Sequence, residues 1–240
     1  MPIFRNLQPC FLGFCLIISV STLQSLFVGQ WANPQDIPAY GWMTSVIRIT
    51  VFLGAAALSS RIATFSSHKI PLWAACILCT AGLALVMGSA SIGSSLPWSD
   101  ALHAAGLAIS AAGYALLYLY WIELYARMDL MHVIAYFALV HLLSATISLI
   151  VSSLPVRDLM FACIVCMPLI SSLLYTRSLR KSSDLPFMQG ETPSSGWSVP
   201  WKPIVLLGTY TFANSFVRHF LVNDLKGAVL IGVMIAATVT

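Results

Sequence analysis

The sequence predicts an all-α protein, a polytopic transmembrane helix bundle, and three observations carry that prediction. Of its 240 residues 59% are hydrophobic and only 8% are charged, with mean hydropathy +0.88; soluble domains carry about 25% charged residues. Apolar stretches long enough to cross a bilayer recur along the whole chain. Lys and Arg gather in alternate connections between those stretches, the charge asymmetry of a membrane topology. The formal net charge of +4 is dispersed, so it leaves no nucleic-acid footprint. Six cysteines form no Cys-rich loop and hence no disulfide framework.

The first span is expected over 9–28, after the single early charge Arg5. Ser19-Val20-Ser21 is a faint signal-peptide cleavage pattern, but the apolar run continues through Leu26 and Phe27 and further spans follow. Spans two to seven are expected over 40–58, 70–87, 101–124, 131–151, 159–175 and 203–221. Each reaches across a core of ~30 Å at ~1.5 Å per residue. A last apolar run, 227–240, has 14 residues and reaches only ~21 Å as a helix. Stranded carbonyls at bilayer depth are costly, so this run reads as a cut-off eighth span, the other reading being a half-span buried against neighbouring helices.

With the N-terminus cytoplasmic, Arg5, Arg61, Lys69, Arg127, Arg177, Arg180, Lys181 and Lys202 fall inside, against Arg157, Arg218 and Lys226 outside. A multi-pass protein of the cell inner (plasma) membrane is expected on that topology. Residues 1–176 then form a six-span bundle and 177–202 a flexible basic cytoplasmic linker rich in Ser, Pro and Gly; 203–240 begin a second bundle. The Arg177-Ser178-Leu179-Arg180-Lys181 cluster is a topology anchor or a site for lipid headgroups.

The fourth span organises the rest. Tyr114, Tyr118, Trp121 and Tyr125 fall at i, i+4, i+7 and i+11, one aromatic stripe. Gly106, Ser110 and Gly113 make a stripe of small residues where another helix can approach closely. Glu123 and Arg127 stand in the favourable order for a helical ion pair. Trp121, Glu123 and Arg127 therefore read as interface or gating residues, or as an aromatic belt with an ordinary interfacial pair.

Arg48 is the most informative single residue, with about nine mostly apolar residues on either side. Such an Arg costs ~2.5–3.5 kcal/mol on insertion scales, and no acid stands at comparable depth in another span. It reads as a cation that meets a small anionic ligand, with Thr44 and Ser45 one turn before it, or as a structural Arg that snorkels. On the seventh span Thr211, Asn214 and Arg218 form one polar stripe, lining a cavity or packing on a neighbour. His141 is the other titratable group expected at depth, neutral and hydrogen-bonding or a proton relay. The pairs Cys76 and Cys79, and Cys163 and Cys166, sit in apolar spans without nearby His or acid, so packing is expected rather than a metal site. No phosphate loop, nucleophile elbow or zinc motif is present; neither catalysis nor a cofactor is expected, and the partners expected are membrane lipid and a small anion.

This layout, six spans with a cytoplasmic N-terminus and a longer basic loop before a seventh, resembles the first half of a major facilitator superfamily protein followed by the start of its second half. The resemblance implies inverted three-helix repeats and a binding cavity between halves. The superfamily's Gly-x-x-x-Asp-Arg/Lys-x-Gly-type loop signature is poorly kept: 58–63 read Leu-Ser-Ser-Arg-Ile-Ala, and 131–151 contain neither Gly nor Pro. A narrower stretch, Gly113-Tyr114-Ala115-Leu116-Leu117 then Trp121-Ile122-Glu123-Leu124-Tyr125, is similar to the W-x-E-L-Y region of membrane domains that precede LuxR-type helix-turn-helix regulators. That resemblance implies a sensory or regulatory membrane domain whose output domain is missing here, since no helix-turn-helix fits, and DNA binding is not carried over. The alternatives are a fragment of a facilitator-type small-molecule transporter and a non-functional remnant.

Overall fold

The computed structural model describes residues 8–31, 37–58, 69–92, 98–182 and 185. All of them belong to the first of two units into which the chain divides, Met1–Gly190 and Glu191–Thr240. The expected seventh and partial eighth spans, with Thr211, Asn214 and Arg218, lie outside the described residues.

Among the described residues every regular element is helical. A short 3-10 segment, Pro9–Gly13, leads into α1 (Phe14–Trp31), followed by α2 (Ile37–Leu58), α3 (Lys69–Ile92), α4 (Ser99–Ala126), α5 (Leu130–Ser152) and α6 (Arg157–Ser182). Each falls on one of the first six expected spans. Four of them, Pro71–Ser89 within α3, then α4, α5 and α6, are long and apolar enough to cross a membrane, as an integral membrane protein requires.

Local chemistry sets the ends. Asp129 caps α5, its side chain accepting from the His132 amide at 2.9 Å, and His132 Nδ1 lies 2.7 Å from Asp129 Oδ2. What little burial Asp129 has would push its carboxyl up; the His132 amide, ring and charge outweigh this and hold it below the ordinary carboxylate range. α6 opens on Asp158 and closes on Arg180 and Lys181, both favourable against the helix dipole. The helix thus continues through the basic cluster to Ser182, so Arg177, Arg180 and Lys181 are helical where the sequence suggested linker. Pro168 lies inside α6.

The tightest seam joins α3 to α4, and it uses the small-residue stripe. A methyl group on Gly82 would meet the backbone of Ser110 and Gly106 O (2.7 Å); on Gly106 it would meet Val86 N at 2.8 Å, and on Gly113 Ala75 O at 2.8 Å. The backbones touch because no Cβ stands between them. α2 also packs on α4, α1 packs on α5, α6 and α4, and α3 reaches α6.

The core lies where the aromatic stripe of α4 meets α1. Phe14 is fully buried and sits 4.9 Å from the Tyr118 ring and 5.6 Å from the Tyr125 ring, both edge-on. Trp121 packs on Tyr175 of α6 at 5.5 Å, and Tyr125 stacks on Tyr136 of α5 at 6.2 Å. Trp121 is 1% and Tyr125 2% exposed. These rings form a core rather than an interfacial belt, because α1, α5 and α6 converge on that side of α4.

Candidate functional site

One group of polar side chains forms a layer across α1, α2 and α4, with Arg48 at its centre. Arg48 lies midway along α2, and its guanidinium covers the Tyr114 ring of α4 at 4.5 Å, a cation–π contact that strengthens as water is excluded. Its Nη1 donates to Ser21 Oγ of α1 at 3.3 Å, and Ser21 also hydrogen-bonds the Tyr114 hydroxyl. One turn further along α1 and one turn back along α4, Gln24 Nε2 donates to Ser110 Oγ at 2.9 Å. Cys79 of α3 lies within the field of Arg48. Arg48 Nε is buried and has no hydrogen-bond partner among the described residues.

Thr44 is not part of this layer through its hydroxyl. Thr44 Oγ1 and Ser45 Oγ both donate back to Gly41 O, at 3.1 and 2.8 Å, the local bond that hydroxyl side chains favour on a helix. The polar partners of Arg48 come instead from α1 and α4. Sequence reading passed over Ser21, Gln24, Ser110 and Tyr114 as partners; the signal lay in their spacing, since Ser21 and Gln24 are three apart and Ser110 and Tyr114 four apart.

Trp121, Glu123 and Arg127 occupy the far end of α4, and they separate. Trp121 Nε1 donates to Ser171 Oγ at 2.9 Å, and Ser171 Oγ donates to Gly13 O at 2.9 Å. Tyr125 adds a bond from its hydroxyl to Phe11 O at 2.6 Å, while Gln8 N donates to Tyr136 Oη at 2.8 Å. The first and last residues of the W-x-E-L-Y stretch thus hold the 3-10 segment against α4, α5 and α6. Glu123 and Arg127 form the ion pair their spacing suggested, at 2.7 Å, with side chains 22% and 36% exposed.

His103 escaped the sequence reading because it lies in the first turns of α4, where an interfacial His is unremarkable. It is 8% exposed, with Nδ1 3.0 Å from Ser89 Oγ of α3 and its ring 5.4 Å from Tyr40 of α2. His141 packs against Phe137 at 5.0 Å within α5. Cys76 and Cys79 are buried, Cys163 is half-buried and Cys166 exposed. Among the described residues no three His, Cys, Asp or Glu side chains gather as metal ligands would.

Fold and site together define a class, a membrane helical bundle that holds a half-buried Arg at mid-helix among the described residues. No family model, no curated protein and no solved structure matches the chain.

Proposed function

We propose that the chain is a sensory or regulatory membrane domain of the kind that precedes LuxR-type regulators, and that it binds a small anion at Arg48 without transforming it. The observation that carries this reading is Arg48 itself, a mid-helix cation whose Nε has no hydrogen-bond partner among the described residues. Burying a charge is costly unless it is paired; an anion supplies the pairing that Ser21 and Tyr114 give only in part.

A facilitator-like layout underlies the proposal, and helix pairing supports it. Exchanging α1 with α4, α2 with α5 and α3 with α6 turns the α1–α5 contact into α4–α2 and the α1–α6 contact into α4–α3; the α3–α6 and α1–α4 contacts map onto themselves. Two three-helix repeats of opposite direction pack in this way. Arg48 and His141 each stand eleven residues into their helices, α2 and α5, so the two repeats carry their deep titratable groups at matching depth. The gathering of Arg127, Arg177, Arg180 and Lys181 at one end of α4 and α6, with Arg157 at the other end of α6, supports a plasma-membrane protein with a cytoplasmic N-terminus. Because that pairing is also what a transporter half requires, facilitator-type transport is the second reading.

The test compares wild type with Arg48→Leu in detergent, reading the thermal midpoint against a panel of small anions. Anion-dependent stabilisation in wild type, abolished in a variant that still fractionates with membranes, supports the proposal. Identical responses of the two proteins would sink the role of Arg48. Reconstituted vesicles then separate the readings: binding without flux is the regulator's outcome, saturable anion flux the transporter's.

A further inference from the structure

We infer that the anion met by Arg48 is a monocarboxylate with a flat apolar body, taken on the Nε–Nη2 edge of the guanidinium. The inference deepens the anion reading above and rests on it. A guanidinium offers two forks to a planar acceptor, the Nη1–Nη2 end and the Nε–Nη2 side. Here Nη1 is turned to Ser21 of α1, and one face of the group is covered by the Tyr114 ring. One prong of the end-on fork is thereby already engaged. The side-on fork is not: Nε is buried without a partner, and Nη2 makes no hydrogen bond among the described residues. Two parallel donors on a planar edge match the two oxygens of a carboxylate, and bidentate pairs of this kind are the strong ones.

Charge sets the valence. Every other described Lys or Arg lies beyond a helix end or within the two turns next to one, so Arg48 stands as the one described cation at mid-helix. One half-buried positive charge is neutralised by one negative charge; a phosphate dianion or a dicarboxylate leaves a surplus charge beside apolar helix faces, where it is costly. Neighbouring rings set the body. Phe52, one turn beyond Arg48 on α2, lies 6.0 Å from Tyr118, which is 5.8 Å from Tyr114. An aromatic or otherwise planar group attached to the carboxylate gains offset or edge-on contacts with these rings.

The test uses the full 240-residue chain in detergent or nanodiscs and four probes, benzoate, its neutral isostere benzamide, the dianion phthalate and inorganic phosphate, with acetate as the control carboxylate that lacks a ring. Benzoate is expected to bind and raise the thermal midpoint, with the other three at least tenfold weaker. Arg48→Lys keeps the charge and loses the fork, so it is expected to weaken benzoate at least tenfold. Phe52→Leu, which leaves the buried charge in place, is expected to weaken benzoate about fivefold while leaving acetate unchanged. If phosphate or phthalate binds as well as benzoate and Arg48→Lys is silent, the monocarboxylate inference falls and the anion site stands. If wild type binds none of these probes nor acetate, both fall.

Discussion

Replacing Gly113 by Ala adds one methyl group where α3 and α4 approach backbone to backbone, and its effect follows from the geometry of the seam. The new Cβ would stand 2.7 Å from Cys79 Cα and 2.8 Å from Ala75 O, both backbone atoms that no rotamer change moves away. Ordinary contact between such atoms is ~3.5–4.0 Å, so the helices must part by roughly 1 Å. A gap of that size removes a quarter to a half of each dispersion contact along the seam, and overpacking of this kind typically costs about 1–3 kcal/mol. Against this the Ala gains up to about 1 kcal/mol of helix propensity over Gly, which leaves a net loss of up to about 2 kcal/mol. Gly54 is the internal control: a methyl group there meets nothing within 4 Å, so Gly54→Ala is expected to gain up to about 1 kcal/mol. Thermal denaturation of both variants in one mild detergent gives the comparison, and opposite signs are expected. A Gly113→Ala protein as stable as the Gly54→Ala protein would refute the reasoning, because it would mean that α3 and α4 do not meet backbone to backbone at this stripe.

Two further outcomes are expected. Tyr125→Phe keeps the ring that packs on Phe14 and Tyr136 but removes the donor to Phe11 O; it should cost about 1 kcal/mol and expose the 3-10 segment to faster amide hydrogen exchange, whereas unchanged exchange at Phe11 and Leu12 would show that the hydroxyl does not hold that segment. For Asp129 the folded carboxyl is held below its ordinary value, so its contribution is present above the unfolded carboxyl pKa and is lost as pH falls through the lower folded one. Thermal midpoints measured across this acid range should therefore fall less steeply in Asp129→Asn, which keeps a cap without the charge, than in wild type; equal slopes would remove Asp129 from the acid response.

The sequence alone determined the all-helical class of structure and the places of the six described helices. Apolar runs of spanning length, interrupted by short polar connections, leave a chain in lipid no option but helices, because each backbone group must find its partner within its own segment. Local spacing was sufficient for three details: the small stripe at Gly106, Ser110 and Gly113, the aromatic stripe of α4, and the pair formed by Glu123 and Arg127. What the sequence left open was which way each stripe faced and what met it. Tyr118, Trp121 and Tyr125 suit a membrane interface or a core equally well, since an aromatic ring is apolar in body in either place, and only the convergence of α1, α5 and α6 decided for the core. Arg48 stood out by its cost in an apolar span, yet its partners, Ser21 and Tyr114, lie 27 and 66 positions away in the chain. No local period encodes such a meeting. It is made by the packing of α2 and α1 on α4, and tertiary structure alone turned four unremarkable polar residues and one costly Arg into a single layer.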